Sequence, residues 1–139
     1  MSEKVKITVQ VTVNVPAEKA WECWTEPKHI TKWNFASDDW KCPSAETDLR
    51  VGGRFSYRME AADGSIGFDF PGEFIKVEPF QNIEYRIDDG RLVSVSFHNS
   101  EGQTCIVETF EAENMHPAEM QRAGWQSILD NFRKHVESL

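Results

Sequence analysis

The chain has 139 residues, 15 of them basic and 23 acidic, for a net charge of −8. That length suits one domain over residues 1–139 with a real core, and argues against two. The acidic balance, with no Lys/Arg cluster to track a phosphate backbone, excludes nucleic acid as an expected partner.

Met1 to Lys6 is polar, no signal-type apolar stretch follows it, and no segment approaches the roughly 18 apolar residues a membrane span needs, so a cytoplasmic protein without membrane insertion is expected. From Ile7 to Val13 apolar and polar residues alternate, the period of a half-buried strand. Pro16 then suits a helix start, and Ala17, Ala20, Trp21 and Trp24 recur at helical spacing. Thr25 is read as the cap of a second short helix, with Pro27 in its first turn and Ile30 and Trp33 on its inner face. Asn34 to Leu49 reads as irregular, with one short edge strand near Asp39–Lys41.

From Arg54 the pattern is a run of strands separated by the turn signals Asp63-Gly64, Glu78-Pro79, Asp89-Gly90 and Glu101-Gly102, which predicts an antiparallel meander. Phe55, Tyr57 and Met59 alternate with polar residues, as do Val93, Val95 and Phe97. Pro71-Gly72 interrupts the strand carrying Phe68, Phe70 and Phe74, and a bulge there leaves open which of Phe74 and Ile75 points inward. The Gly52-Gly53 pair precedes a strand and reads as a positive-φ turn rather than a phosphate cradle.

After Pro117 one long amphipathic helix is predicted. Trp125, Ile128, Leu129, Phe132, Val136 and Leu139 share a face. The N-terminal half of that face offers only Ala118 and Gln121, with Gly124 at the margin, which predicts a space beneath it with Gln121 at the rim. A helix-interior glycine costs about 1 kcal/mol relative to alanine, so Gly124 is read as making room for a ligand or a close backbone.

Three stretches carry a family resemblance: Leu49-Arg50-Val51-Gly52-Gly53-Arg54-Phe55, Gly72-Glu73-Phe74-Ile75-Lys76-Val77-Glu78-Pro79, and Gln121 through Phe132. They resemble the activator of heat-shock protein 90 ATPase homologue-like family of the START-like, or SRPBCC, superfamily. The resemblance covers nearly the whole chain. It implies an α+β helix-grip fold: a curved antiparallel sheet around a long C-terminal helix, two short helices after the first strand, and a cavity between sheet and helix. It leaves activity open, because the fold serves carriers, receptors, cyclases and chaperone activators.

The expected function is binding of a hydrophobic, lipid-like small molecule in that cavity, with no catalytic residue, metal or cofactor assigned. Its expected walls are Trp33, Phe35, Trp40, Phe55, Tyr57, Met59, Phe68, Phe70, Tyr85, Val95, Phe97 and Val107, closed by Gln121, Gly124, Trp125 and Ile128. Close packing of the aromatic residues with no void is the alternative. Trp33, Phe35 and Trp40 are read as a lid, or else as an exposed patch for dimerisation. A cyclase or hydratase in this fold would need a cavity-facing acid or base. The candidates are the phenols of Tyr57 and Tyr85 and the carboxylates of Asp69 and Glu73, but the two acids alternate with phenylalanines and so are expected to face solvent, unless a bulge at Pro71-Gly72 turns Glu73 inward.

His29, His98, His116 and His135 show no metal-ligand spacing, and His135 reads as a helix-end surface residue. Cys23, Cys42 and Cys105, odd in number and widely spaced, read as reduced and mostly buried thiols. A monomer or weak homodimer is expected, and a chaperone partner has only the family name behind it.

Overall fold

The computed structural model describes residues 5–139, so Met1–Lys4, part of the polar start read above, lie outside the described residues. The chain runs β1 (Lys6–Val13), α1 (Ala17–Thr25), α2 (Pro27–Trp33), β2 (Trp40–Thr47), β3 (Arg54–Ala61), β4 (Gly67–Glu78), β5 (Asn82–Ile87), β6 (Leu92–Ser100), β7 (Gln103–Glu111) and α3 (Ala118–Glu137). The strands form one sheet in the order β1-β7-β6-β5-β4-β3-β2, antiparallel throughout. This is the helix-grip architecture expected above.

Local chemistry explains most of the elements. Ile7, Val9, Val11 and Val13 of β1 are buried, while outward Thr8 shares a 2.9 Å hydroxyl hydrogen bond with Thr109 across the β1–β7 pair. At two hairpins an aspartate closes its own turn: the Asp63 carboxylate accepts from the Ser65 N–H at 2.9 Å, and Asp89 from the Arg91 N–H at 3.0 Å. Gly52 has φ +84°, the left-handed turn expected of the Gly-Gly pair. The free edge of β1 is covered by α3, whose Arg122 and Gln126 donate to the Thr8 and Gln10 carbonyls at 2.8 and 3.0 Å. Those carbonyls would otherwise be open to another strand.

Three expectations are corrected. Thr25 ends α1, its hydroxyl donating back to the Trp21 carbonyl at 2.8 Å, and Glu26 takes the cap position of α2. The stretch read as mostly irregular holds an eight-residue strand, β2, paired to β3 with a register shift between Lys41 and Ser44. The ladder skips Cys42 and Pro43, as expected where proline removes a donor. Pro71-Gly72 does not bulge: β4 keeps its register with β3 through both residues, and the irregularity falls between Phe74 and Lys76 on the β5 side. Phe74 therefore points inward and is buried.

The core lies between α3 and the concave face of the sheet. Leu129, Phe132 and Val136 are fully buried, and the rings of Trp24 and Trp33 meet Phe132 edge-on at 5.0 and 4.9 Å. The sheet curls over an aromatic knot: Phe55 stacks on Tyr57 at 4.9 Å and meets Phe74 and Tyr85 at 5.2 and 5.0 Å. Gly72 makes the knot possible, because a Cβ there would lie 2.4 Å from the Phe55 ring and 2.7 Å from the Arg86 carbonyl oxygen. Gly72→Ala should therefore cost about 2 kcal/mol of unfolding free energy, measured by urea denaturation.

Candidate functional site

Ahead of buried Leu129, Phe132 and Val136, a cavity of about 200 Å³ lies between α3 and the sheet. Trp125 and Ile128 of α3 form its roof, and Tyr57, Met59, Phe70, Phe74, Ile83 and Tyr85 of the central strands form its floor. Trp24, Thr25, Trp33 and Asn34 close it from the short helices, Thr47 and Leu49 from the end of β2, and Glu108 from β7. Phe68, 49% exposed, sits where the cavity meets solvent. Trp125 is held by a face-to-face stack on Phe110, with centroids 3.9 Å apart.

Half of the expected wall residues lie here: Trp33, Tyr57, Met59, Phe68, Phe70, Tyr85, Trp125 and Ile128. The structure places the other eight elsewhere. Phe55 is buried behind the floor in the aromatic knot. Val95, fully buried, pairs with Ile83 and Glu108, and Phe97 packs against Trp21 and Trp24. Trp40 meets Phe68 at 5.9 Å without lining the cavity. Phe35 is partly buried against the core, and its carbonyl accepts from Asn131 of α3. Trp33 is only 4% exposed, its indole N–H donating to the Cys23 carbonyl at 2.9 Å, so it is core and wall rather than a lid or a dimer patch.

Val107 belongs to the opposite face of β7, because Thr104, Ile106, Glu108 and Phe110 are the buried set. Gln121 does not reach the cavity rim. Its Oε1 accepts from the Glu113 N–H, and its Nε2 donates to the Glu113 and His116 carbonyls, so it fastens the approach to α3. Gly124 lies off the cavity with open space where a Cβ would project, so neither ligand room nor close packing requires a glycine there. Asp69 faces out and pairs with Arg58 at 3.4 Å, and Glu73, opposite Arg54 and Arg86 in the ladders, shares that outer face.

The residue that pattern reading missed is Glu108. It is 4% exposed and lines the cavity, yet no group among the described residues hydrogen-bonds its carboxyl. Burial alone pushes that carboxyl up to about 8, so at neutral pH it is mostly protonated. The phenols of Tyr57 and Tyr85 border the same space, likewise without hydrogen-bond partners, and both are raised, first by burial and then by neighbouring charges that include Glu108. The cavity thus presents largely apolar and aromatic walls with one acid and two phenols, and with Thr25, Asn34 and Thr47 as its other polar lining residues.

A second grouping lies apart from it. His29 Nδ1 and His135 Nε2 are 2.9 Å apart, and Cys23 Sγ completes a set whose donor atoms all fall within 4.8 Å of one another. Three helices supply these residues, so sequence spacing could not reveal them, and His135 is half-buried rather than on the open surface. None of the three lines the cavity. All three cysteines are free, with Cys23 and Cys42 buried.

The family model for activator of Hsp90 ATPase homolog 1-like proteins matches residues 14–137. A solution NMR structure of an AHSA1-like protein from Aeromonas hydrophila is 45% identical, with a TM-score of 0.91 over 96% of this chain and 93% of that one. A Cytophaga hutchinsonii protein is 47% identical, with a TM-score of 0.83 over 96% and 92%. A Nitrosomonas europaea protein, 18% identical, shares the fold with a TM-score of 0.80 over 96% and 95%. No curated protein matches the chain. No helix among the described residues is long and apolar enough to cross a membrane.

Two predictions follow from this geometry. The unfolded chain releases the Glu108 proton near the ordinary carboxyl value of 4.5, whereas the folded protein keeps it until about 8. Stability contributed by that retained proton is full below the lower value and drains away as pH rises through the window between the two. Glu108→Gln removes this slope, so the variant should exceed the parent by about 4 kcal/mol near pH 7.5 and by little below pH 5, measured by denaturant unfolding across pH. Gly124→Ala should gain about 0.5–1 kcal/mol of stability without altering occupancy of the cavity, measured by the same unfolding and by ligand titration.

Proposed function

The chain belongs to the activator of Hsp90 ATPase homolog 1-like family, and we propose that within its helix-grip fold it binds a small, largely apolar molecule between the sheet and α3. The observation that carries this reading is the aromatic-lined cavity of about 200 Å³. Interiors normally close over spaces of that size, and an apolar cavity of comparable volume can stay dry and take up an apolar guest. Burying about 300 Å² of apolar ligand surface contributes roughly 7 kcal/mol before the costs of association, enough for micromolar binding. The Glu108 and phenol hydroxyls would then orient the guest, in the usual pattern of an apolar pocket with few convergent polar groups.

Glu108 also supports a second reading. A carboxyl poised near neutrality in an apolar cavity is the acid or base that a cyclase or hydratase requires. Under that reading a guest would leave the protein chemically changed, and Glu108→Gln would stop the change while still binding it.

Native mass spectrometry of gently purified protein, before and after incubation with a metabolite and lipid extract, tests the binding reading. A discrete mass increment that disappears on denaturation is expected. A clean apo mass in both samples, with no thermal shift from the extract, would overturn it.

A further inference from the structure

We infer that the molecule this cavity selects is a lipophilic amine, held as its ammonium ion by Glu108 and by the faces of the surrounding aromatic rings. This rests on the binding reading above and names the chemical class of the guest. Among the described residues the Glu108 carboxyl has no hydrogen-bond donor and no ion-pair partner, although the residue is only 4% exposed and faces the cavity. A buried carboxyl with no partner is costly, and a cation in the same space is what offsets that cost most strongly.

The groups that face it leave that role to a ligand. Tyr57 on β3 and Tyr85 on β5 are neutral phenols, and Cys42 behind Tyr57 is a buried thiol. Arg91 acts on Tyr85, but its guanidinium is held by Asp89 at 2.8 Å. The α3 side offers Trp125 and Ile128, neither of which titrates.

The walls supply the second half of the recognition. Trp24, Trp33, Tyr57, Tyr85 and Trp125 line one cavity with the carboxyl. Electron-rich ring faces around a cation, with one carboxylate, form the cage that stabilises organic ammonium groups in a desolvated site. A neutral apolar guest would use the rings and leave Glu108 unpartnered. A carbonyl guest would accept one hydrogen bond from the protonated carboxyl, a weaker contact than a charge-assisted pair. The net charge of −8 also favours approach of a cation.

Because Glu108 is mostly protonated in the empty cavity at neutral pH, binding an ammonium ion expels its proton: the O–H bond breaks, the carboxylate stays, and the buffer takes the proton. Three probes of matched shape separate the alternatives: phenylbutylamine, its neutral isostere pentylbenzene, and the ketone benzylacetone. Each is titrated at pH 7 into the intact protein and into Glu108→Gln, reading the fluorescence of Trp24, Trp33 and Trp125. Circular dichroism melts verify that the variant is folded. Phenylbutylamine should bind at least about tenfold tighter than either neutral probe, and Glu108→Gln should erase that preference while leaving pentylbenzene unchanged or tighter. Calorimetry in buffers of different ionisation enthalpy should report release of about one proton per amine bound, and none in the variant.

Equal binding of all three probes, or tighter binding of benzylacetone, would overturn the amine assignment and leave the cavity reading standing. Failure of all three to bind the folded protein would overturn both.

Discussion

Leu129, Phe132 and Val136 vanish between α3 and the sheet, and Trp24 and Trp33 close edge-on against the Phe132 ring from the two short helices. That junction is the clamp of the fold. It ties the last helix, both short helices and the curl of the sheet to one set of contacts in the C-terminal half of α3. Further toward its N-terminus α3 is held differently, by the flat stack of Trp125 on Phe110 and by polar side chains hooked onto the edge of β1. A helix fixed at both ends along a concave sheet need not touch the floor between them, and the cavity occupies that gap. It follows from where the large side chains sit on one helix face.

The floor is rigid for a related reason. Phe55, Tyr57, Phe74 and Tyr85 pack ring to ring, and the bare backbone at Gly72 lets Phe55 settle beneath them. Side chains locked in this way do not readily collapse into a neighbouring space, since collapse would trade good ring contacts for poor ones.

Much of this was legible in the sequence, and the misses have identifiable causes. β1, β3, β6 and α3 announce themselves because one face of each is apolar at a clean period, so the architecture followed. β2 escaped because it is an edge strand: most of its side chains are at least partly exposed, and Pro43 sits inside it. β4 looked broken at Pro71-Gly72, yet its ladder to β3 runs on unbroken, and no pattern in the chain locates the true irregularity beyond Phe74. Gly124 was given a spatial reason that the open space around it removes. β7 was read on the wrong face because both of its parities carry apolar residues, and choosing the face with Glu108 means accepting a buried carboxylate. Hydrophobic pattern reading does not anticipate a strand that buries an acid, so it put Val107 on the cavity side in place of Glu108.

The other polar residues that are buried like Glu108 have structural partners. Thr104 donates to the Val15 carbonyl at 2.8 Å, Glu111 accepts from the Leu92 N–H at 2.7 Å, and Gln121 makes three hydrogen bonds around the start of α3. Each of these ties a loop or strand end to the sheet, so each has a structural use. Glu108 ties nothing. It sits between Ile106 and Phe110 on the buried face of its strand, opposite Val9 and Val95, where an apolar side chain would meet every packing requirement without the cost of desolvation. Under the proposed binding reading that cost has a use, because the carboxyl faces the space a guest would fill.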